Sequence, residues 1–280
     1  KLFLRKYSPA PLWHIQSAGD IADTFQSITK VFHTTPVLFF DFLRSIPRIE
    51  NFDSQKQHNY NKLWEIEERR ATRCVEEHFP SKDFGELEFV NEIVKNLPSE
   101  SNLHLANSMS VRYANFIGLN TGHHSIRVFS NRGTSGIDGC TSTCVGHCFT
   151  SEVPNILITG DLAFFYDRNA FWHNYPLPNL RIILLNNHGG IIFKMIDGPG
   201  ETSEAGEYFI TKQPLTAKYL CEEFGITYLK VDHKRKLKNF LKDFFDMDGT
   251  PKILELESDL VLNKTLFEDL KLKIRKSYEL

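Results

Sequence analysis

The stretch RIILLNNHGG, residues 181–190, runs from four apolar residues into two amides, an imidazole and two glycines. Ile182, Ile183, Leu184 and Leu185 suit a parallel strand covered on both faces, which reads as an unbroken apolar run. Asn186 and Asn187 do not, unless polar partners wait at the carboxyl end of that strand.

The same pattern recurs around this stretch. NLHLAN, IRVFSN, ILITGD, ITYLKVD and KILELES are further short apolar runs, and most of them end in polar residues. Helical periodicity and helix-favouring residues mark 61–79, 85–97, 137–149, 162–173, 214–224, 234–245 and 263–276. Strands alternating with helices predict an α/β fold, an open and mostly parallel sheet with helices on both faces. In such sheets ligands bind beyond the carboxyl ends of the strands. LANS (105–108), SNRGTSG (130–136), TGD (159–161) and NNHGG (186–190) all fall on that rim.

The N-terminal part reads differently. An apolar segment around LWHIQ is followed by DTFQSITKVFHTTPVLFFDFL, which looks helical but breaks at Pro36. Residues 46–60 are polar and loop-like, so a domain boundary is expected near residue 50, with 1–50 and 51–280 on either side. The opening KLFLRKYSPAP has no initiator Met, no signal-type apolar region and no cleavage site, as expected for a cytoplasmic piece of a longer protein. No apolar run reaches the roughly 18 residues of a membrane helix. The net charge of −2 and dispersed basic residues give a nucleic-acid partner no support.

Asp161 follows an apolar strand and opens a helix. It can be a helix cap, or a carboxylate that shares a divalent cation with a bound phosphate. Asn187 lies 26 residues later, the length of one crossover, so both residues share the rim on adjacent parallel strands. A carboxylate, an amide oxygen and a backbone carbonyl offered by Gly189 are oxygen ligands suited to Mg²⁺. Arg112 and Arg132 near the rim can be ordinary surface arginines or forks for substrate carboxylates. No GxGxxG or P-loop occurs.

Three further features have plainer explanations. Cys140, Cys144, His147 and Cys148 share one helix face, but four donors on a straight helix cannot easily surround a tetrahedral ion, whereas buryable cysteines suit packing. In HKRKLKNFLKDFF, Leu237, Phe240, Leu241 and Phe244 make a core-facing stripe. DMDG (246–249) lacks the further ligands of a calcium loop and reads as a turn.

GDLAFFYDRNAFWHNYPLPNLRIILLNNHGG resembles the GDG…NN signature of thiamine diphosphate enzymes, with Leu162 in place of the usual last glycine. With NSMSVR, SNRGTSGIDG and NNHGGIIF it resembles the 2-succinyl-5-enolpyruvyl-6-hydroxy-3-cyclohexene-1-carboxylate synthase (MenD) family of menaquinone biosynthesis, most densely over 105–200. The resemblance implies the diphosphate domain of the thiamine diphosphate-binding fold over 51–280, preceded in 1–50 by the end of a middle domain. It implies thiamine diphosphate and Mg²⁺ as cofactors, with Asp161, Asn187 and Gly189 on the metal and Leu162, Ala163 and Ile137 beside the cofactor. Ser108, Arg112 and Arg132 match substrate-carboxylate contacts, and Phe193 and Ile196 match apolar contacts near the substrate. Ile191 stands where the family has a third glycine, and Ile196 where it more often has leucine.

The implied reaction decarboxylates 2-oxoglutarate and adds the succinyl-semialdehyde carbanion to isochorismate, in a homo-oligomer, dimer or tetramer. The family's glutamate that pairs with the aminopyrimidine ring belongs to a pyrimidine-binding domain absent from this chain. The chain alone is therefore expected to be inactive. Alternatives are another thiamine diphosphate enzyme of the 2-oxoacid decarboxylase or acetolactate synthase type, or a non-catalytic diphosphate-binding module.

Overall fold

In the computed structural model, residues 2–7, 11–47, 54–80, 82–119, 125–196 and 198–278 are described. The chain divides into two units, Lys1–Trp64 and Glu65–Leu280. The boundary expected near residue 50 lies outside the described residues.

The first unit begins with α1 (Leu2–Tyr7), β1 (Leu12–Ile15), β2 (Ile28–Phe32) and α2 (Pro36–Ser45), with β1 and β2 paired in parallel. Pro36 opens α2 rather than breaking a helix. Its missing N–H costs nothing at the first helical position, and the Thr35 hydroxyl accepts the Leu38 N–H at 3.3 Å. The rings of Trp13, Phe32, Phe39 and Phe40 follow one another at centroid spacings of 5.3, 4.8 and 5.5 Å. Helix α3 (Ser54–Glu76) begins inside the segment expected to be a loop and crosses the division between the units.

In the second unit α4 (Glu86–Lys95), β3 (Ser101–Leu105), α5 (Met109–Ile117), β4 (Ile126–Phe129), α6 (Cys140–Cys148) and β5 (Asn155–Gly160) come first. Next are α7 (Asp161–Tyr166), β6 (Leu180–Asn186), α8 (Ile192–Met195), α9 (Lys218–Phe224), β7 (Thr227–Val231), α10 (Lys234–Phe245), β8 (Lys252–Glu257) and α11 (Leu260–Lys276). The six strands form one all-parallel sheet in the order β4-β3-β5-β6-β8-β7, which is the α/β architecture expected. The chain steps outward from β3 to β4 and then returns past β3 to β5, so the strand order reverses there. A crevice opens at such a reversal.

All seven residues of β6 are buried, and their side chains alternate between two cores. Ile183 and Leu185 join the cluster under α4, α5, α10 and α11, while Leu180, Ile182 and Leu184 join the one under α6, α7 and α9. The cysteines of α6 are buried in this second core, so their spacing is that of a packing face. Leu237, Leu241 and Phe244 of α10 are buried and Phe240 packs beside them, as the stripe requires. In DMDG, the Asp248 carboxylate accepts the Thr250 N–H at 3.1 Å, which closes a turn. Helix 162–173 is shorter than its periodicity suggests, because α7 ends at Tyr166 and a 3-10 turn covers Arg168–Phe171.

His104 on β3 is buried against Phe129, with its Nε2 3.0 Å from Nδ1 of His147. Burial, reinforced by His147, pushes its pKa down to about 4 from 6.5. Between those values the unfolded chain binds the proton and the folded chain does not, so acid favours unfolding. Urea titrations should show about 2 kcal/mol of stability lost from this group between pH 7 and pH 5. His104→Gln should flatten that part of the pH dependence; an unchanged slope contradicts the assignment.

Candidate functional site

The crevice at the carboxyl ends of β3, β5 and β6 holds a cavity of about 500 Å³. Its wall is drawn from α4, the β3–α5 turn, the 131–137 loop, the start of α7 and the loop after β6. Ser108, Arg112, Arg132, Ile137, Asp161, Leu162, Ala163, Asn187, Gly189 and Phe193 all line it. Ile196 does not. It follows α8, is 42% exposed and lies outside the lining, because the short helix ends before its side chain can turn inward.

β5 and β6 pair in parallel, which sets their polar ends side by side. Asp161 is the first residue of α7 while Gly160 occupies the cap position, so the carboxylate is not a conventional helix cap. Its Oδ1 accepts the Leu162 N–H at 2.8 Å and its Oδ2 accepts the Gln213 amide at 2.7 Å. Burial raises its pKa to about 6, against the pull of Gln213 and the Leu162 and Gly189 N–H groups.

Asn186 and Asn187 separate. Asn186 donates to Glu255 at 2.6 Å and to the Leu215 carbonyl at 2.9 Å, and its own carbonyl accepts from Gln213 and the His188 N–H. Asn187 donates from Nδ2 to Glu86 Oε1 at 2.7 Å, while its Oδ1 is buried and, among the described residues, has no hydrogen-bond partner. A buried amide oxygen left bare is costly unless something polar completes it. Asp161 lines the same cavity, and among the described residues the Gly189 carbonyl accepts the Ile191 N–H at 3.0 Å. Among the described residues no three His, Cys, Asp or Glu side chains converge as a metal cage. One carboxylate, one amide oxygen and one carbonyl fit a hard cation such as Mg²⁺, which keeps water or ligand oxygens in its remaining positions.

The turn after β6 is not made at Gly189. His188 takes the left-handed backbone, with φ of 61°, and its N–H is held by Asn186. The glycines serve close approach instead: a Cβ on Gly189 would sit 2.9 Å from the Ile210 carbonyl, and one on Gly190 would sit 2.7 Å from that of Phe209.

Across the cavity Arg112 donates to the Ser108 carbonyl at 2.6 Å, and Arg132 donates to Asn107 Oδ1 at 3.1 Å. Burial and the charge of Arg132 lower the Arg112 pKa. Among the described residues neither arginine has a carboxylate partner, so two like charges face a cavity and await an anion.

Residues not singled out from the sequence complete the site. Asn107 binds Arg132 and the Asn131 carbonyl, and so fixes the 131–136 loop. Gln213 bridges Asp161 and Asn186. Glu86 is buried under Asn187 and Tyr113, and burial, with the Asp161 charge, lifts its pKa to about 7. Asn107 stands inside the quoted NSMSVR, but Gln213 and Glu86 reach the rim only through tertiary packing.

No family model matches the chain. It is 40% identical over 279 residues, 99% of its length, to 2-succinyl-5-enolpyruvyl-6-hydroxy-3-cyclohexene-1-carboxylate synthase of Cytophaga hutchinsonii, of which it covers 48%. Synthases of the same name from Flavobacterium johnsoniae and Flavobacterium psychrophilum are 36% and 41% identical over 96% and 86% of the chain, which covers 48% and 42% of them. By sequence the chain is similar to part of these synthases. It spans about half the length of the curated relatives it matches.

Gly190→Ala should force the loop after β6 away from Phe209 and cost about 1–3 kcal/mol by denaturant unfolding. Wild-type stability in that variant would show that the contact yields without strain.

Proposed function

We propose that the chain is the C-terminal, diphosphate-binding part of a thiamine diphosphate- and Mg²⁺-dependent synthase of menaquinone biosynthesis. Its substrates in this reading are 2-oxoglutarate and isochorismate, acted on by a cytoplasmic homo-oligomer. The observation that carries it is the buried, bare Oδ1 of Asn187 on a cavity also lined by Asp161 and by two arginines that, among the described residues, lack carboxylate partners. The names of the relatives support the same reading.

Asp161, Asn187 Oδ1 and the Gly189 carbonyl would hold Mg²⁺ and, through it, a diphosphate beside Leu162 and Ala163. When bound, thiamine diphosphate supplies an electron sink for loss of carbon dioxide from a 2-oxoacid. The chain's own residues orient and select. Ile137, Ile191, Ile192 and Phe193 give the cavity apolar walls, which exclude water from the reacting groups. Arg112 and Arg132 bind substrate carboxylates, held ready by the Ser108 carbonyl and by Asn107. Two paired cations favour a dicarboxylate such as 2-oxoglutarate over a monocarboxylate such as pyruvate, which separates this reading from a pyruvate-using relative of the same fold.

Three outcomes are expected. Calorimetry on the full-length protein should show Mg²⁺-dependent binding of thiamine diphosphate, lost in Asp161→Ala and Asn187→Ala. Arg112→Leu or Arg132→Leu should raise the KM for 2-oxoglutarate by about 10–100-fold, the worth of one charge-assisted contact, and Asn107→Ala should do the same more weakly. The 280-residue chain by itself should give no product in a turnover assay with both substrates; product at full-length rates would contradict the need for a partner domain.

A further inference from the structure

An asparagine that serves a cation carries an ambiguity that aspartate does not. One end of its amide is an oxygen and the other an NH₂, and the two differ little in shape. A flipped amide would point two N–H bonds at the cation. Something beside the ligand must choose.

We infer that Glu86 is the positioning residue that makes this choice for Asn187, an inference that rests on the cation site proposed above. In its ionised form the Glu86 carboxylate can only accept at Oε1, and the Asn187 Nδ2 lies 2.7 Å from it. Turning the amide over would set two acceptor oxygens against each other at that distance, in a place where both residues are buried. With Nδ2 captured, Oδ1 is left at the other end of the amide, on a residue that lines the cavity, and among the described residues it is this atom that has no partner. The choice and the bare oxygen are two sides of one arrangement.

Glu86 is itself held from several directions. The Tyr113 hydroxyl on α5 donates to its Oε2 at 3.0 Å, and the Ser258 hydroxyl lies 3.5 Å from Oε1. Its backbone N–H donates to Asn263 Oδ1 on α11 at 2.9 Å. That last contact requires the glycine before it, since a Cβ on Gly85 would come within 2.6 Å of the same Asn263 oxygen. Residues from α5, the position after β8 and α11 thus hold Glu86, which lies 101 positions from Asn187. Groups that hold a metal ligand from behind in this way commonly govern metal affinity.

The test reads cation binding. In the full-length protein, calorimetry follows thiamine diphosphate binding over a series of Mg²⁺ concentrations, with folding checked by circular dichroism. A wild type that binds no thiamine diphosphate at any Mg²⁺ concentration overturns the functional reading and this assignment together. With binding in the wild type, Glu86→Met, close in shape but without an acceptor, should weaken the apparent Mg²⁺ affinity about 10–100-fold, and excess Mg²⁺ should restore cofactor binding. Glu86→Gln should stay within about threefold of wild type, because its amide oxygen accepts the same N–H while its NH₂ turns to the Tyr113 hydroxyl. If Glu86→Met does not fold, Tyr113→Phe takes its place, with an expected loss of several-fold in Mg²⁺ affinity. A folded Glu86→Met or, in its place, Tyr113→Phe with wild-type affinity overturns the proposal. So does a Glu86→Gln as weak as Glu86→Met, which would make the charge, and not the orientation, the part that matters.

Discussion

Side chains alternate along a strand, and at the end of β6 this constraint sorts two identical amides into different tasks. Asn186 continues the series of Ile182 and Leu184 and meets Glu255, Gln213 and the Leu215 carbonyl. Asn187 follows Ile183 and Leu185 to the other side and meets Glu86. Because both residues are buried, neither amide can turn freely to water, and each must find its partners in the fold. Asn186 finds them all; Asn187 is left one short. Gln213 then ties the settled side to the cavity, since one NH₂ reaches both the Asn186 carbonyl and the Asp161 carboxylate. The position of Asp161 thus depends on the same strand end as that of Asn187.

The cavity is also where the backbone departs from ordinary conformations. Ser108, Ser135 and His188 have φ of 72°, 61° and 61°, and each stands on the cavity wall or beside it. Such positions cost about 1–3 kcal/mol each unless the surroundings over-determine them. Here every one is tied to a residue of the site. The Ser108 carbonyl takes Arg112, the Ser135 hydroxyl donates to the Arg132 carbonyl, and the His188 N–H is held by Asn186. The strain and the positioning are therefore the same set of contacts.

Much of this was legible in the sequence. All six strands of the large sheet fall within one or two residues of their apolar runs, because buried parallel strands have a pattern that little else imitates. The rim followed from crossover length alone. Misreadings occurred where a local signal had two meanings. Pro36 can end a helix or begin one, and only the Thr35 hydroxyl on the Leu38 N–H decides. Gly189 signals either a turn or a close approach; His188 took the turn. Ile196 was one residue beyond the end of a short helix and so missed the cavity. Glu86 was hidden for a different reason. In GELEF it is one of two acidic residues in a first helical turn, and both are buried. Nothing local separates Glu86, held by Asn187 and Tyr113, from Glu88, which takes the Lys234 ammonium.

The charges of the cavity argue for a cation more strongly than any single ligand does. Asp161 and Glu86 make one acidic pole, close enough that the Asp161 charge raises the cost of ionising Glu86. Arg112 and Arg132 make a basic pole, likewise unrelieved. A polyanion entering this space is drawn by the arginines and repelled by the carboxylates, so without help it would settle only at the basic end. In the proposed reading a divalent ion at Asp161 and Asn187 would reverse the sign of the acidic end, where Coulomb effects in a water-poor site are large. One anionic group can then sit on the ion while a separate carboxylate sits on the arginines. In the proposed reading the cavity would hold two anions apart, and the donor set that would do so has, among the described residues, one bare atom, the Asn187 oxygen.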